Sequence, residues 1–70
     1  MEKNWICIYS TNKNHLAEIA KGILKEHDIE SVIVNKKDSN YLFGLLELYV
    51  NRDHVIQGKH LLRDIEIPGT

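Results

Sequence analysis

Cysteine and proline are nearly absent from this 70-residue chain, which contains one of each. The single cysteine, Cys7, excludes an internal disulfide and suits the reducing cytoplasm, where we expect the protein to be located. No Cys/His cluster has the spacing of a zinc site, so we expect neither a metal nor another cofactor. No apolar run approaches the roughly 18 residues of a transmembrane span, and residues 1–4 do not resemble the start of a signal peptide.

The chain also lacks an excess of charge of either sign. Nine basic and ten acidic residues give a formal net charge of −1, so the chain has neither the basic footprint of a nucleic-acid-binding protein nor a cationic helix for a membrane surface. The sequence shows no nucleophile–base pair and no glycine-rich loop that would hold a phosphate. We therefore expect a protein that is not an enzyme and does not bind a membrane.

The chain is short for a protein that folds alone. A domain of this size buries only about 60% of the surface of its unfolded chain, and its single core supplies roughly 3–5 kcal/mol. Small domains usually gain further stability from disulfides, a metal or a partner subunit, and the sequence offers neither of the first two. We therefore expect a homo-oligomer, with a dimer as the favoured form.

The period of the hydrophobic pattern changes twice along the chain, from two residues to about 3.6. The changes follow the apolar runs at residues 5–9 and 45–50. This pattern predicts the order strand, helix, strand, strand, helix. The predicted strands are residues 4–9, 31–34 and 45–50, and the predicted helices are residues 13–27 and a second helix capped by Asn51 or Asp53 and ending near residue 65.

Each predicted helix has one apolar face. Asp28 follows the first helix, where its tolerance of a left-handed backbone suits a C-cap. The inward faces are expected to be Leu16, Ile19, Ala20, Ile23, Leu24 and His27 in the first helix, and Val55, Gly58, Leu62 and Ile65, flanked by Leu61, in the second.

The connections between these segments predict the topology. A strand, a crossover helix and a strand prefer a parallel, right-handed arrangement, and the third strand fits between them, antiparallel to both. The expected fold is α+β, a ferredoxin-like βαββα(β) sandwich with an antiparallel three-stranded sheet and both helices on one face. Because the last strand is missing or reduced to residues 66–67, we expect one domain at residues 1–66, a flexible tail at residues 67–70 and a free edge along the first strand.

Alternation of side chains divides the strands between the two faces of the sheet. The face toward the helices is expected to carry Ile6, Ile8, Val32, Val34, Leu46, Leu48 and Val50. The opposite face is expected to carry Trp5, Cys7, Tyr9, Ile33, Leu45, Glu47 and Tyr49. Because such an apolar patch is seldom left bare on a monomer, we predict that this second set forms an oligomer interface, with Glu47 reaching a lysine or arginine across it.

Small and aliphatic residues recur at core spacing from residue 5 to residue 62. They are Tyr9-Ser10-Thr11-Asn12, then Ala17, Leu24 and Ile29, then Leu48-x-Val50, and finally Asp53, Gly58 and Leu61-Leu62. In this pattern the chain resembles a family of short bacterial domains described as prokaryotic signal-transducing proteins, related by name and fold to the nitrogen-regulatory PII proteins. Asp28 stands where that family usually has glycine, and Asn51 where proline is frequent. The resemblance implies a small, PII-related ferredoxin-like domain with a regulatory role and no catalytic residues to assign.

A turn rich in polar side chains precedes the first predicted helix. Free N–H groups and the helix dipole favour an anion at such a position. One hypothesis is therefore a site for a phosphate or carboxylate of a small effector, and the other is ordinary helix capping. The residues concerned are Ser10, Thr11, Asn12 and Lys13.

The connection between the second and third predicted strands is too long for a tight hairpin turn. In PII proteins the corresponding connection binds effectors and partners and carries a modifiable tyrosine. The resemblance thus implies a partner loop, and a solvated connection is the alternative. The candidate residues are Lys36, Lys37, Asp38, Asn40 and Tyr41.

Together these features predict a cytoplasmic, non-enzymatic regulatory module that is oligomeric and binds a protein partner or a small effector. Two alternatives remain open. The aromatic residues Trp5, Tyr9 and Tyr49 could stack on the bases of single-stranded RNA, or the chain could be a purely structural assembly domain. A dimer interface uses the same aromatic residues, and the near-neutral charge favours it over RNA.

Overall fold

The computed structural model describes residues 4–36, 45–63 and 65. Within these residues, three strands, two α-helices and one 3-10 turn occur in the predicted order. They are β1 (Trp5–Thr11), α1 (Asn14–Glu26), β2 (Ser31–Lys36), β3 (Leu45–Asn51), the 3-10 turn (Arg52–His54) and α2 (Val55–Leu62). Most of the predicted partner loop and the whole predicted tail lie outside the described residues.

The strand order confirms the predicted topology. β3 lies between β1 and β2 and pairs antiparallel with both, so β1 and β2 run parallel to each other. α1 is the crossover between them, and both helices contribute to the one hydrophobic core. The fold of the described residues is therefore α+β and ferredoxin-like, with β1 and β2 as the edges of the sheet.

Polar residues lie next to the helix ends, but the N-cap residues of α1 and α2 make no side-chain capping hydrogen bond. Asp28 has a φ of 60°, which is the left-handed conformation predicted for it after α1. Asn51 Oδ1 accepts a hydrogen bond from Asp53 N at 3.0 Å, so the predicted cap forms, although it opens the 3-10 turn rather than α2 itself. Before α1, Thr11 Oγ1 accepts a hydrogen bond from Lys13 N at 3.2 Å.

The core lies between the helices and the central strand. Its buried residues are Ala20, Leu24, Ile29, Leu48, Val50 and Leu62. α2 ends at Leu62, earlier than predicted, but the residues predicted for its inward face are at the core: Val55, Gly58, Leu61 and Leu62 in α2, and Ile65 beyond its end. The predicted face of α1 is partly wrong, because Ile19 is 49% exposed and His27 is exposed. Ala17 is buried instead. The buried face of α1 consists of Ala17, Ala20 and Leu24, and Ile19 lies outside this face.

Gly58 in α2 packs tightly against side chains of the sheet and of α1. A Cβ atom built on Gly58 would lie 2.7 Å from Ile8 Cδ1, 3.6 Å from Leu24 Cδ2 and 4.0 Å from Val50 Cγ2. In contrast, a Cβ atom on Gly22 in α1 would meet no atom within 4 Å. A side chain at Gly58 would therefore require the end of Ile8 to move, whereas a side chain at Gly22 has open space.

These two glycines predict opposite effects on the free energy of unfolding. Gly22→Ala is expected to raise it by about 0.4–1 kcal/mol, because alanine has the higher helix propensity and restricts the unfolded chain. Gly58→Val is expected to lower it by roughly 1–3 kcal/mol, because the added methyl groups overpack the contact with Ile8. Urea unfolding of the two variants measures both changes, and a Gly58→Val protein as stable as the wild type would contradict this packing.

A β-bulge in β1 changes the face of one predicted interface residue. Cys7 pairs with Tyr49 and Tyr9 pairs with Leu48, so the extra residue Ile8 lies between two successive pairs. Beyond the bulge the alternation is reversed, and Tyr9 packs against the core together with Ile8. The predicted position of Tyr9 on the face opposite the helices is therefore wrong.

The faces predicted for β2 are also exchanged. Ile33 pairs with Leu48, whose side chain is in the core, so Ile33 faces the helices and packs there. Val32 and Val34 consequently lie on the opposite face, where the prediction had placed Ile33. The prediction was wrong because residues 32–34 are all β-branched and aliphatic, and a continuous apolar run does not show which face is inward.

Candidate functional site

Both described helices pack on the Leu48 and Val50 face of the sheet, and the other face carries neither of them. We call this other face the open face. The strand register places on it the side chains of Trp5, Cys7, Ser10, Val32, Val34, Lys36, Leu45, Glu47 and Tyr49. Five of these residues were predicted on this face, and the two valines replace Tyr9 and Ile33. Val32 is 39% exposed, one of the most exposed large aliphatic residues among those described. The open face is thus largely apolar, and residues of all three strands contribute to it.

Glu47 is the acidic residue of the open face and lies on the central strand. Its Oε1 accepts a hydrogen bond from the Tyr49 hydroxyl at 2.8 Å, and Lys36 Nζ lies 3.5 Å from the same oxygen. The side chain of Glu47 is only 18% exposed, against 58% for Lys36. A carboxylate that is largely removed from water needs such partners. These two contacts therefore stabilise the charge of Glu47 among apolar side chains. The predicted lysine partner of Glu47 is here a residue of the same chain.

The hydrogen bond with Glu47 raises the pKa of Tyr49 above its ordinary value of 10.0, with burial and the negative charge of Glu47 acting in the same direction. The folded protein therefore favours the neutral phenol. This contribution to stability is present below the ordinary pKa and is lost as the pH rises through the higher pKa of the folded state.

Glu47→Ala is accordingly expected to lower the pKa of Tyr49 toward its ordinary value, because it removes both the acceptor and the negative charge. NMR titration of labelled tyrosine rings measures this shift residue by residue. Tyr9 serves as the internal control, since it lies on the other face of the sheet. An unchanged pKa of Tyr49 in the variant would contradict the hydrogen bond.

The four residues of the predicted anion site do not share one surface. Ser10 and Thr11 are consecutive in β1, so their side chains lie on opposite faces, Ser10 opposite Glu47 and Thr11 opposite Leu46. Thr11 is buried and bonded to the backbone of Lys13. The contact of Thr11 is a local structural one, but it does not cap α1, whose N-cap residue Lys13 has no side-chain capping hydrogen bond. Effector binding at Ser10, Thr11, Asn12 and Lys13 stays a prediction.

Among the candidate residues of the predicted partner loop, only Lys36 is described, and it lies in a strand rather than in a loop. Lys36 ends β2 and pairs with Glu47, while Lys37, Asp38, Asn40 and Tyr41 lie outside the described residues. Within residues 4–36 and 45–63, no three His, Cys, Asp or Glu side chains are grouped in a way that could hold a metal ion. Among these same residues, neither helix has the length and apolarity needed to span a membrane.

Comparison with known proteins connects this fold to a family. A family model described as "Putative prokaryotic signal transducing protein" matches residues 5–66, from the start of β1 to beyond α2. The chain belongs to this family. The comparisons with curated proteins and with solved structures gave no match. The family description names signal transduction and no reaction, which agrees with the resemblance inferred from the sequence.

Proposed function

We propose that this chain is a small, non-enzymatic regulatory module of the cytoplasm that forms a homodimer through its open face and presents its helix side to a protein partner or small effector. The family description supports the signalling role. The proposal of a dimer rests on the open face, where apolar side chains from three strands surround the carboxylate of Glu47.

The charges on the open face, like its apolar character, are compatible with binding a second copy of the chain. Among the described residues, the open face carries one cation, Lys36, and one anion, Glu47, so their charges balance and do not repel a second copy. In a twofold arrangement, each residue of the patch meets the same patch on the partner. Trp5 and Tyr49 are the kinds of residue enriched in the buried centre of such interfaces.

Association through the open face would leave both helices accessible. The exposed residues of the helix side include Ile56, which is 86% exposed on α2, and the predicted partner loop begins at Lys36 on the sheet edge. We propose that binding of a partner or effector takes place on these surfaces. Dimerisation would then give two identical binding surfaces in one particle.

RNA binding is the second candidate, because Trp5 and Tyr49 are aromatic residues on an open sheet. The structure weakens this candidate, since Tyr9 packs against the core and Glu47 places a carboxylate beside Tyr49. Single-stranded oligonucleotides at low salt should therefore leave the fluorescence of Trp5 unchanged. Salt-dependent quenching would favour RNA instead.

Thermal-shift screening with nucleotides and central metabolites tests the effector role. We expect one chemical class to raise Tm in a concentration-dependent manner, because a ligand that binds only the folded state stabilises it. No shift across the panel, together with no protein captured from a cell lysate, would contradict a regulatory binding module.

A further inference from the structure

A groove of about 410 Å³ lies where α1 ends and the chain returns into β2. Its lining combines two cations, two anions and one hydroxyl group around a buried aliphatic residue. The lining residues are Lys21, Lys25, Asp28, Ile29, Glu30 and Ser31. The groove is on the helix side of the sheet and shares no residue with the open face. Its volume is within the range of sites for small molecules, roughly 300–1,000 Å³.

The side chain of Ser31 has an unsatisfied hydrogen-bonding group next to the groove. It is 9% exposed, and its hydroxyl oxygen is buried without a hydrogen-bond partner among the described residues. A buried hydroxyl group normally has a partner, because leaving it unsatisfied destabilises the protein. A polar group of a ligand in the adjoining groove would provide that partner.

The charges of the groove are likewise available to a ligand. Among residues 4–36 and 45–63, Lys36 and Glu47 form an ion pair. The four charged residues of the groove, all within these ranges, form no ion pair with one another. Lys21 and Lys25 are one helical turn apart on the same side of α1. Asp28 follows the C-terminus of α1, where the helix dipole also favours a positive group.

We infer that this groove binds a small zwitterion, of which a free α-amino acid is the simplest example. The carboxylate would lie against the two lysine ammonium groups, and the ligand ammonium group would lie near Asp28 and Glu30. A simple anion would be attracted by the lysines but repelled by the two carboxylates, and the reverse holds for a simple cation. This inference extends the proposed function by naming an effector class, yet the groove does not depend on dimerisation.

Titration followed by amide NMR tests the inference with L-alanine as the probe. Propionate and ethylamine are the matched controls, because each lacks one of the two charged groups of alanine. We expect saturable shifts at the amides of residues 28–31 with L-alanine, and binding at least tenfold weaker with either control. Equal binding of propionate, or no saturable shift with L-alanine, would overturn the inference.

Two variants test whether L-alanine binds in the groove. The double substitution Lys21→Gln and Lys25→Gln is expected to weaken the binding of L-alanine at least tenfold, since both side chains are exposed and their replacement leaves the core intact. Lys59→Gln combined with Arg63→Gln is the control, because this pair also removes two exposed positive charges, and it should leave binding unchanged. Undiminished binding by the double variant would refute the site. Sedimentation of the same samples separates this result from the proposed dimer, which requires only the open face.

Discussion

Leu24→Ala is expected to lower the free energy of unfolding by about 2–5 kcal/mol, which is the usual cost of removing a fully buried leucine side chain. Leu24 is completely buried at the centre of the core, and its Cδ2 lies 3.6 Å from the position of a Cβ atom on Gly58. A single core of this size supplies only about 3–5 kcal/mol. The variant should therefore be largely unfolded at low protein concentration.

Circular dichroism during urea unfolding measures this loss. Ile19→Ala is the matched control, because Ile19 is on the same helix but 49% exposed, and its substitution should change the free energy of unfolding by no more than about 1 kcal/mol. If the two variants were equally stable, the described face of α1 would be wrong.

Val34→Lys is expected to raise the dissociation constant of the dimer by at least about 30-fold, equivalent to roughly 2 kcal/mol. Val34 lies on the open face directly across from Glu47 on β3. In the single chain the new ammonium group can approach that carboxylate and remain hydrated. In the dimer it would be buried in an apolar interface, where an additional charge is strongly unfavourable.

Asn35→Lys is the matched control for this experiment. It introduces the same charge at the next residue of β2, but Asn35 pairs with Leu46 and lies on the helix face of the sheet. The control should dissociate with the wild-type constant. Equal weakening by both substitutions would show that net charge, and not the open face, governs association.

The order of the elements could be predicted because each has its own hydrophobic period. The central strand has apolar residues on both faces, which placed it between the edges, and Gly58 and Leu62 fall at helical spacing on α2. The left-handed Asp28 was also predicted from residue type alone. Local preferences and global topology agree in these segments, so the sequence was sufficient.

The composition of the open face could be predicted only in part. The bulge at Ile8 reverses the alternation within β1, and no glycine or proline marks it in the sequence. The groove at the end of α1 was missed entirely, because it depends on how the chain turns after Asp28 to reach Ser31. The buried hydroxyl of Ser31 has no sequence signal, since a serine at the start of a strand is ordinarily exposed.

Sedimentation velocity over a wide range of concentration tests the central claim, that the open face of the sheet is covered by a second copy of the chain. We expect the sedimentation coefficient to rise from that of a single chain to that of a dimer, with the transition moved to higher concentration by Val34→Lys and not by Asn35→Lys. A wild-type protein that remains a single chain at the highest concentration reached would contradict the claim.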